Sequence, residues 1–358
     1  MKTIIFYAPL ARNLPQHLIG GGEIGCRRTY EIIRNAGYNI ETVDKPTMAR
    51  GRISFVRIAL IGYCRYISLL LRHKDAIAYI VGFYEKNVYL EWLLLITATI
   101  LRHKKVYEIR NGRLIKTYKK FGSGYKDFLD SILKKADVIF CQGLDYVDFI
   151  RQKYNRDSIY TPNYVMNKYL EEYHEREIGQ INLIYTGRVT EQKNINVIIN
   201  IFYELLKRGH KTKLVIIGAY TEDYKQLLDE QISSFGFSQN IIFTGMQDFH
   251  FITREMKKSH FFVFPSAEKK EGHSNSLTEA MAFGVVPIAS DAGFNSTVIG
   301  KQELIIHGFN AKEYADCIEQ IWDSGNWRNY SQFIYSRVIN NFTEEIVGGS
   351  ILTGLDSI

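Results

Sequence analysis

Two carboxylates, Glu271 and Glu279, stand with seven residues between them in the stretch "EGHSNSLTEAMAFG". Glu271 sits beside a glycine in a polar loop. Glu279 lies in the first turn of an alanine-rich apolar helix that reads as beginning near Ser276. The start of a helix offers unpaired backbone N–H groups and the positive end of a dipole, which together suit an anion. A carboxylate there can accept two hydrogen bonds from a vicinal diol such as a ribose. It can also merely complement the dipole, worth ~0.3–1 kcal/mol, and for Glu279 alone that is the simpler use. Upstream, "YTGRVTEQKN" places Arg188 and Lys193 five residues apart, after a strand that ends at Gly187. Two cations leaving a strand end before a helix can hold a diphosphate, since guanidinium and ammonium groups both bind phosphate oxygens. Taken alone they read as solvated loop residues.

The elements that must position these groups repeat along the chain. "TIIFYAP" reads as a first strand, followed by a helix "EIGCRRTYEIIRNAG" that closes on Gly37. "IAYIVG", "KKVYEIR" and "DVIFCQ" follow as strands with helical sequence between them, and "SIYTPN" ends the series. The pattern restarts after the acidic segment "LEEYHEREIGQ", taken as a linker near residues 170–180, with "INLIYTG", "KLVIIG", "NIIFTG", "HFFVFPS" and "VVPIAS". Such alternation implies parallel sheets covered by helices on both faces. Two series imply two doubly wound domains, with ligands at the C-terminal ends of the strands.

Bulk properties agree. At 358 residues the chain exceeds one ordinary core, so two domains are expected. The four cysteines, Cys26, Cys64, Cys141 and Cys317, share no Cys-x-x-Cys spacing, which argues against a disulfide framework or zinc site. The N-terminal apolar run is too short for a signal peptide, and a cytoplasmic location is expected. Residues 1–170 carry 28 Lys and Arg against 14 Asp and Glu, a net of +14. The remaining 188 carry 17 against 24, a net of −7. A basic half suits an anionic partner. In "SFVRIALIGYCRYISLLLRHK", Arg57, Arg65 and Arg72 fall within an arc of ~80° on an otherwise apolar helix. That stripe fits a helix lying in the headgroup plane of an anionic membrane, or a core helix with a thin solvent face. Three arginines speak against a transmembrane span. No aromatic-interleaved RNA-binding motif accompanies the charge, so nucleic acid is not an expected partner.

Gly187-Arg188-x4-Lys193, "LVIIGA", "NIIFTG", Pro265-Ser266 and Glu271-x7-Glu279-Ala-Met-Ala-x-Gly occur in this order at the strand ends of one domain. The series closely resembles the nucleotide-sugar-binding domain of family 4 retaining glycosyltransferases, which have the GT-B fold. The resemblance spans nearly the whole chain and is strongest over residues 181–300. The N-terminal half matches in outline, through "GGGEIG" and "TPNYV". It implies an α/β fold of the GT-B class: two Rossmann-like, doubly wound parallel-sheet domains facing a central cleft. Residues 1–170 would form the acceptor side and 171–340 the nucleotide-sugar domain, with 341–358 a C-terminal helix packing back on the first. By the same resemblance, Glu271 would hold the donor sugar and Glu279 the ribose. The backbone amides of Gly272, His273, Ser274 and Asn275 would line the sugar and phosphate pocket, at the helix that starts by Ser276. Arg188 and Lys193 would neutralise the departing diphosphate, Gly245 and Met246 would contact the base, and Gly20, Gly21 and Gly22 would let backbone approach the phosphates. Many family members carry a histidine after an N-terminal-domain strand. This chain has Arg110 and Asn111 in "VYEIRNGR", as contacts for donor phosphate or acceptor. His273 reads as a pocket-lining variant and not as a general base.

The chemistry so implied is glycosyl transfer with retention, from a nucleoside-diphosphate sugar as substrate and with no further cofactor. No Asp-x-Asp motif is present, so transfer without a metal is expected. The acceptor expected is a lipid-linked saccharide in surface polysaccharide assembly (O-antigen of lipopolysaccharide, capsule or exopolysaccharide), met peripherally at the inner face of the plasma membrane. Two other readings stand beside it. A sugar-nucleotide epimerase, such as a UDP-N-acetylhexosamine 2-epimerase, would need proton-transferring acids at the sugar. A non-catalytic membrane-associated subunit would not need Arg188, Lys193, Glu271 and Glu279 together.

Overall fold

The computed structural model describes residues 2–10, 20–46, 52–83, 85–236, 238–268 and 271–358. The chain divides into two compact units, Met1–Pro162 with Val347–Ile358, and Asn163–Ile346.

The first unit runs β1 (Thr3–Ala8), α1 (Gly21–Asn35), β2 (Asn39–Asp44), α2 (Arg52–Arg72), β3 (Ile77–Gly82), α3 (Val88–Ile100), β4 (Lys104–Ile109), α4 (Leu114–Lys120), α5 (Ser123–Lys135), β5 (Val138–Cys141), α6 (Leu144–Tyr154) and β6 (Ile159–Tyr160). Its strands form one parallel sheet in the order β2-β1-β3-β4-β5-β6. The inner strands are continuous apolar runs because helices cover both faces; β3 is buried at all six positions. The second unit runs β7 (Ile181–Thr186), α7 (Ile195–Lys207), β8 (Thr212–Ile217), α8 (Glu222–Phe235), β9 (Ile241–Gly245), α9 (Phe249–Lys258), β10 (Phe261–Phe264), α10 (Asn275–Ala282), β11 (Val286–Ser290), α11 (Asn295–Ile299), β12 (Ile305–Ile306), α12 (Ala311–Asp323) and α13 (Trp327–Asn341). Its sheet, also parallel, has the order β12-β11-β10-β7-β8-β9.

The last helix, α14 (Glu344–Asp356), belongs to the first unit from Val347 onward. It buries Val347, Ile351 and Leu355 and lays Gly348 by Ile32 and Gly354 by Phe140. Lys2 Nζ donates to the Ile358 carbonyl (2.6 Å), and the Tyr38 hydroxyl to Asp356 (2.7 Å). The break between the units falls at Pro162, ahead of the acidic segment 170–180 in which a linker was expected. Val165 forms a parallel bridge with Thr343, which ties that stretch into the second unit.

Two features of the first unit bear on function. Buried charges are paired: Glu91 meets Lys45 Nζ at 2.5 Å and accepts from Tyr107 Oη (2.6 Å) and the Phe83 N–H (2.9 Å). Helix α2 buries Gly62, Tyr66, Leu69 and Leu70 and turns Ile53, Val56, Arg57, Leu60, Ile61, Arg65, Leu71 and Arg72 outward. Among the described residues α2 is the one helix long and apolar enough to cross a membrane, by length and composition alone.

Candidate functional site

In the second sheet, β7 is flanked by β8, next in the chain, and by β10, reached only after three crossovers. Loops leaving such a pair diverge to opposite faces, and the crevice between them is where open parallel sheets bind ligands. Arg188 and Lys193 leave β7 and Glu271 follows β10, so the fold gathers three sequence-predicted groups at that switch point.

The β7 end is fixed by glycine. Gly218, after β8, has φ +150°, and a Cβ on it would overlap the Gly187 carbonyl. Close approach lets the chain after β7 bond to the chain after β8, Gly187 N–H to Ile217 O (3.0 Å) and Val189 N–H to Ala219 O (2.9 Å). Gly218 N–H in turn donates to Gly245 O (2.9 Å), so the ends of β7, β8 and β9 are joined, with a register shift against β9 between Ile216 and Ile217. Met246, just beyond, is about half exposed.

A short turn, Glu191–Lys193, then swings Lys193 across to the β10 loop. Asn194 Nδ2 donates to Pro265 O (2.9 Å) and Ala267 N–H to Gln192 O (2.9 Å), which sews the two loops together. Lys193 is 8% exposed, with its ammonium 5.2 Å from the centre of the Phe264 ring. It contacts Ser266 Oγ (3.3 Å) and the Glu271 carboxylate, and lies 3.5 Å from Glu268 Oε2. Ser266, fully buried, donates its hydroxyl to Glu271 Oε2 (2.6 Å) and accepts from the Glu268 N–H (3.3 Å). Arg188 reaches the same Glu268 oxygen at 3.4 Å. Two cations and two carboxylates thus share one patch, with Ser266 as the hinge of its hydrogen bonds. Burial pushes the nearby Tyr185 hydroxyl well above its ordinary pKa, and the Glu271 carboxylate adds to the rise. It stays neutral and donates to the Arg188 carbonyl (2.8 Å).

Glu271 and Gly272 are placed by a residue the sequence reading missed. Gly293 has φ +57°, and a Cβ on it would overlap the Glu271 carbonyl. Its only signal was a glycine in "DAGF" just beyond "VVPIAS". Helix α10 begins at Asn275, one residue earlier than expected, because Ser274 caps it, its Oγ accepting from the Leu277 N–H at 3.4 Å. Ser276 Oγ lies 3.2 Å from that cap. The earlier start carries Glu279, half-buried, past the first turn, which holds no acidic residue. The dipole therefore explains it less well than the sequence suggested.

Other predicted residues are occupied differently. The His273 ring is buried, edge-on to Phe342 with centroids 5.1 Å apart, and its Nε2 meets Thr278 Oγ1 at 2.6 Å. Its carbonyl accepts from Asn163 Nδ2 (2.7 Å), so backbone and side chain both anchor the loop. Arg110 is also interior. Burial works against its charge, but the Glu108 carboxylate at 2.6 Å, with lesser contributions from Cys26 and Tyr79, more than offsets this and raises its pKa. Its Nη2 donates to Thr29 Oγ1 (2.5 Å). Asn111 shapes the following turn, Oδ1 accepting from the Arg113 N–H (3.1 Å) and its carbonyl from Tyr146 Oη (2.6 Å). The expectation that Arg110 serves a ligand therefore gives way to an internal ion pair. In the first unit, Gly21 and Gly22 form the first turn of α1, whose N-terminal Gly20 N–H is held by Glu23 (3.1 Å). That sheet has its own switch point, between β1 and β3, and a Cβ on Gly22 would stand 3.1 Å from the Phe83 ring beyond β3. Lys269 and Lys270 lie outside the described residues.

Residues 171–335, within the second unit, match the model of the family Glycosyl transferases group 1. The chain is 24% identical over 269 residues to an uncharacterized glycosyltransferase, MJ1069, of Methanocaldococcus jannaschii, covering 68% of this chain and 64% of that protein. It is 26% identical to the capsular polysaccharide biosynthesis glycosyltransferase CapM of Staphylococcus aureus, over 51% of this chain and 47% of CapM. The chain thus spans between about half and just under two thirds of the length of these relatives. Among solved structures, HepE of Anabaena in complex with UDP superposes over 100% of both chains with a TM-score of 0.73 and 12% identity. The fold is GT-B, with two six-stranded parallel sheets flanked by helices. Both relatives carry glycosyltransferase in their names.

Proposed function

We propose that this protein transfers a glycosyl group from a nucleoside-diphosphate sugar to an acceptor hydroxyl, with retention at the anomeric carbon. The observation that carries the reading is the gathering of Arg188, Lys193 and Glu271 at the switch point of the second sheet, in reach of the α10 start. Breaking the bond between the anomeric carbon and the diphosphate leaves cationic character on the sugar and negative charge on the phosphate oxygens. Cations fixed beforehand where that charge grows lower the barrier without reorganising at the moment of reaction. Lys193, in low-dielectric surroundings, supplies most of this stabilisation, and Arg188 reaches the outer phosphate from solvent. Glu271 accepts from sugar hydroxyls and Glu279 from the ribose. Two fixed side-chain cations serve the diphosphate in the place of a divalent metal, so transfer proceeds without one.

The acceptor is a lipid-linked saccharide of surface polysaccharide assembly, met at the inner face of the plasma membrane. The name of the CapM relative and the exposed face of α2 support this part of the reading. The test begins with thermal shift against a panel of nucleotide sugars, because only the donor that binds stabilises strongly. With that donor and acceptor-bearing lipid, Lys193→Ala and Glu271→Ala should each lower transfer by at least ~100-fold. Near-normal turnover in either variant contradicts the assignment. Retention is read from the anomeric configuration of the product by NMR, and an unchanged rate in EDTA is expected.

A further inference from the structure

The four charges gathered around Ser266 are balanced in a way that the transfer reaction does not require. Arg188 and Lys193 are satisfied by a single oxygen, Glu268 Oε2, at 3.4 and 3.5 Å, while Glu271 takes the other side of the Lys193 ammonium. Among the described residues, two positive and two negative side chains balance at this patch. A diphosphate brings at least two further negative charges. If it arrived with Glu268 still in place, the carboxylate and a phosphate oxygen would compete for the same donors.

We propose that Glu268 is an exchangeable counter-anion: it occupies the phosphate position between Arg188 and Lys193 when the site is empty, gives way to the diphosphate, and returns to drive the spent nucleotide out. Three features make Glu268, and not Glu271, the group that moves. Its side chain is 21% exposed against 10% for Glu271. Glu271 is held by the buried Ser266 hydroxyl at 2.6 Å as well as by Lys193, and its backbone rests on Gly293. The Glu268 carboxylate, by contrast, meets its two cations only at the long distances given above.

The inference rests on the diphosphate reading above. It is tested by calorimetric titration of UDP, GDP and ADP into the wild-type protein, Glu268→Gln and Lys193→Ala. The nucleoside diphosphate that binds the wild type should bind Glu268→Gln about five- to tenfold more tightly, as expected for removing one partly exposed competing charge. The matching nucleoside without phosphates should bind both proteins alike, which separates competition for phosphate from a general reshaping of the pocket. Glu268→Ala should repeat the gain. Equal or weaker diphosphate binding by both Glu268 variants, with binding by the wild type intact, overturns the counter-anion role and leaves the functional reading standing. Absence of binding of all three diphosphates by the wild type, or full binding by Lys193→Ala, overturns the functional reading and this inference with it.

Discussion

Lys193 and Arg188 carry the same charge but sit in different surroundings. Lys193 is 8% exposed, whereas the Arg188 side chain is 56% exposed, so water screens the arginine far more. The sequence offered both cations and both glutamates at their spacing, but it had no means to show which were buried. It also passed over Glu268, whose acid follows Ser266 in an ordinary polar run. A second buried group, away from the site, ties this unit to pH. His260 accepts at Nδ1 from the Asn182 N–H (3.1 Å) and donates from Nε2 to Glu177 O (3.1 Å), so its ring is held neutral. Burial pushes its pKa down from 6.5 to about 4, and the nearby Arg176 adds to the drop against the opposing pull of the Glu177 carbonyl. The unfolded chain therefore takes up a proton between pH 6.5 and 4 that the folded chain refuses. Stability from this residue is complete above pH 6.5 and is lost as pH falls toward 4, about 3 kcal/mol in all. Melting curves from pH 7 to 4 should show a flatter slope in His260→Gln than in the wild type. Parallel slopes would rule His260 out as the source.

At the scale of elements, most strands were legible as apolar runs, while the edge strands β2 and β12 were missed. "IAYIVG" and "FFVF" stand out because helices cover both faces of each sheet. "NIETVD" does not, since β2 is an edge strand with Val43 as its one buried residue. The start of α10 was read one residue late because Ser274 and Ser276 are both plausible caps by type, and only geometry shows which oxygen takes the Leu277 N–H. His273 and Arg110 were expected at the site through the family resemblance, yet each has an interior partner, Thr278 and Glu108. The Glu271 loop depends on Gly293, so Gly293→Ala should disturb it directly. The added methyl meets backbone, and φ +57° is strained for alanine by ~1 kcal/mol or more. Nucleotide affinity in this variant should fall about tenfold, by calorimetry, with a modest drop in melting temperature. Unchanged affinity would show that the loop is placed by something else.

For the molecule as a whole, the charge asymmetry has a place to act. The positive excess lies in residues 1–170, and α2 presents Arg57, Arg65 and Arg72 on the same outward face as Ile53, Val56, Leu60, Ile61 and Leu71. The sequence alone had set the arginines apart from a broad apolar face; the fold buries Tyr66, Leu69 and Leu70 and leaves cationic and apolar groups side by side. In the membrane reading proposed above, such a face draws anionic headgroups by charge and enters the acyl boundary by its apolar side chains. Purified protein should float with vesicles rich in phosphatidylglycerol at low salt and not with phosphatidylcholine alone. Arg57→Glu with Arg65→Glu should abolish the difference, and equal flotation of wild type and variant would remove α2 from the contact.

The course of the backbone sets an order of events during synthesis. The first unit is not closed until Val347–Ile358 returns to it, with Ile358 reaching back to Lys2. The second unit is one uninterrupted segment, Asn163–Ile346. On the ribosome, the half of the chain that emerges first lacks α14 until the half that emerges later has been made. The unit bearing Lys193 and Glu271 has all its residues in hand before the other does.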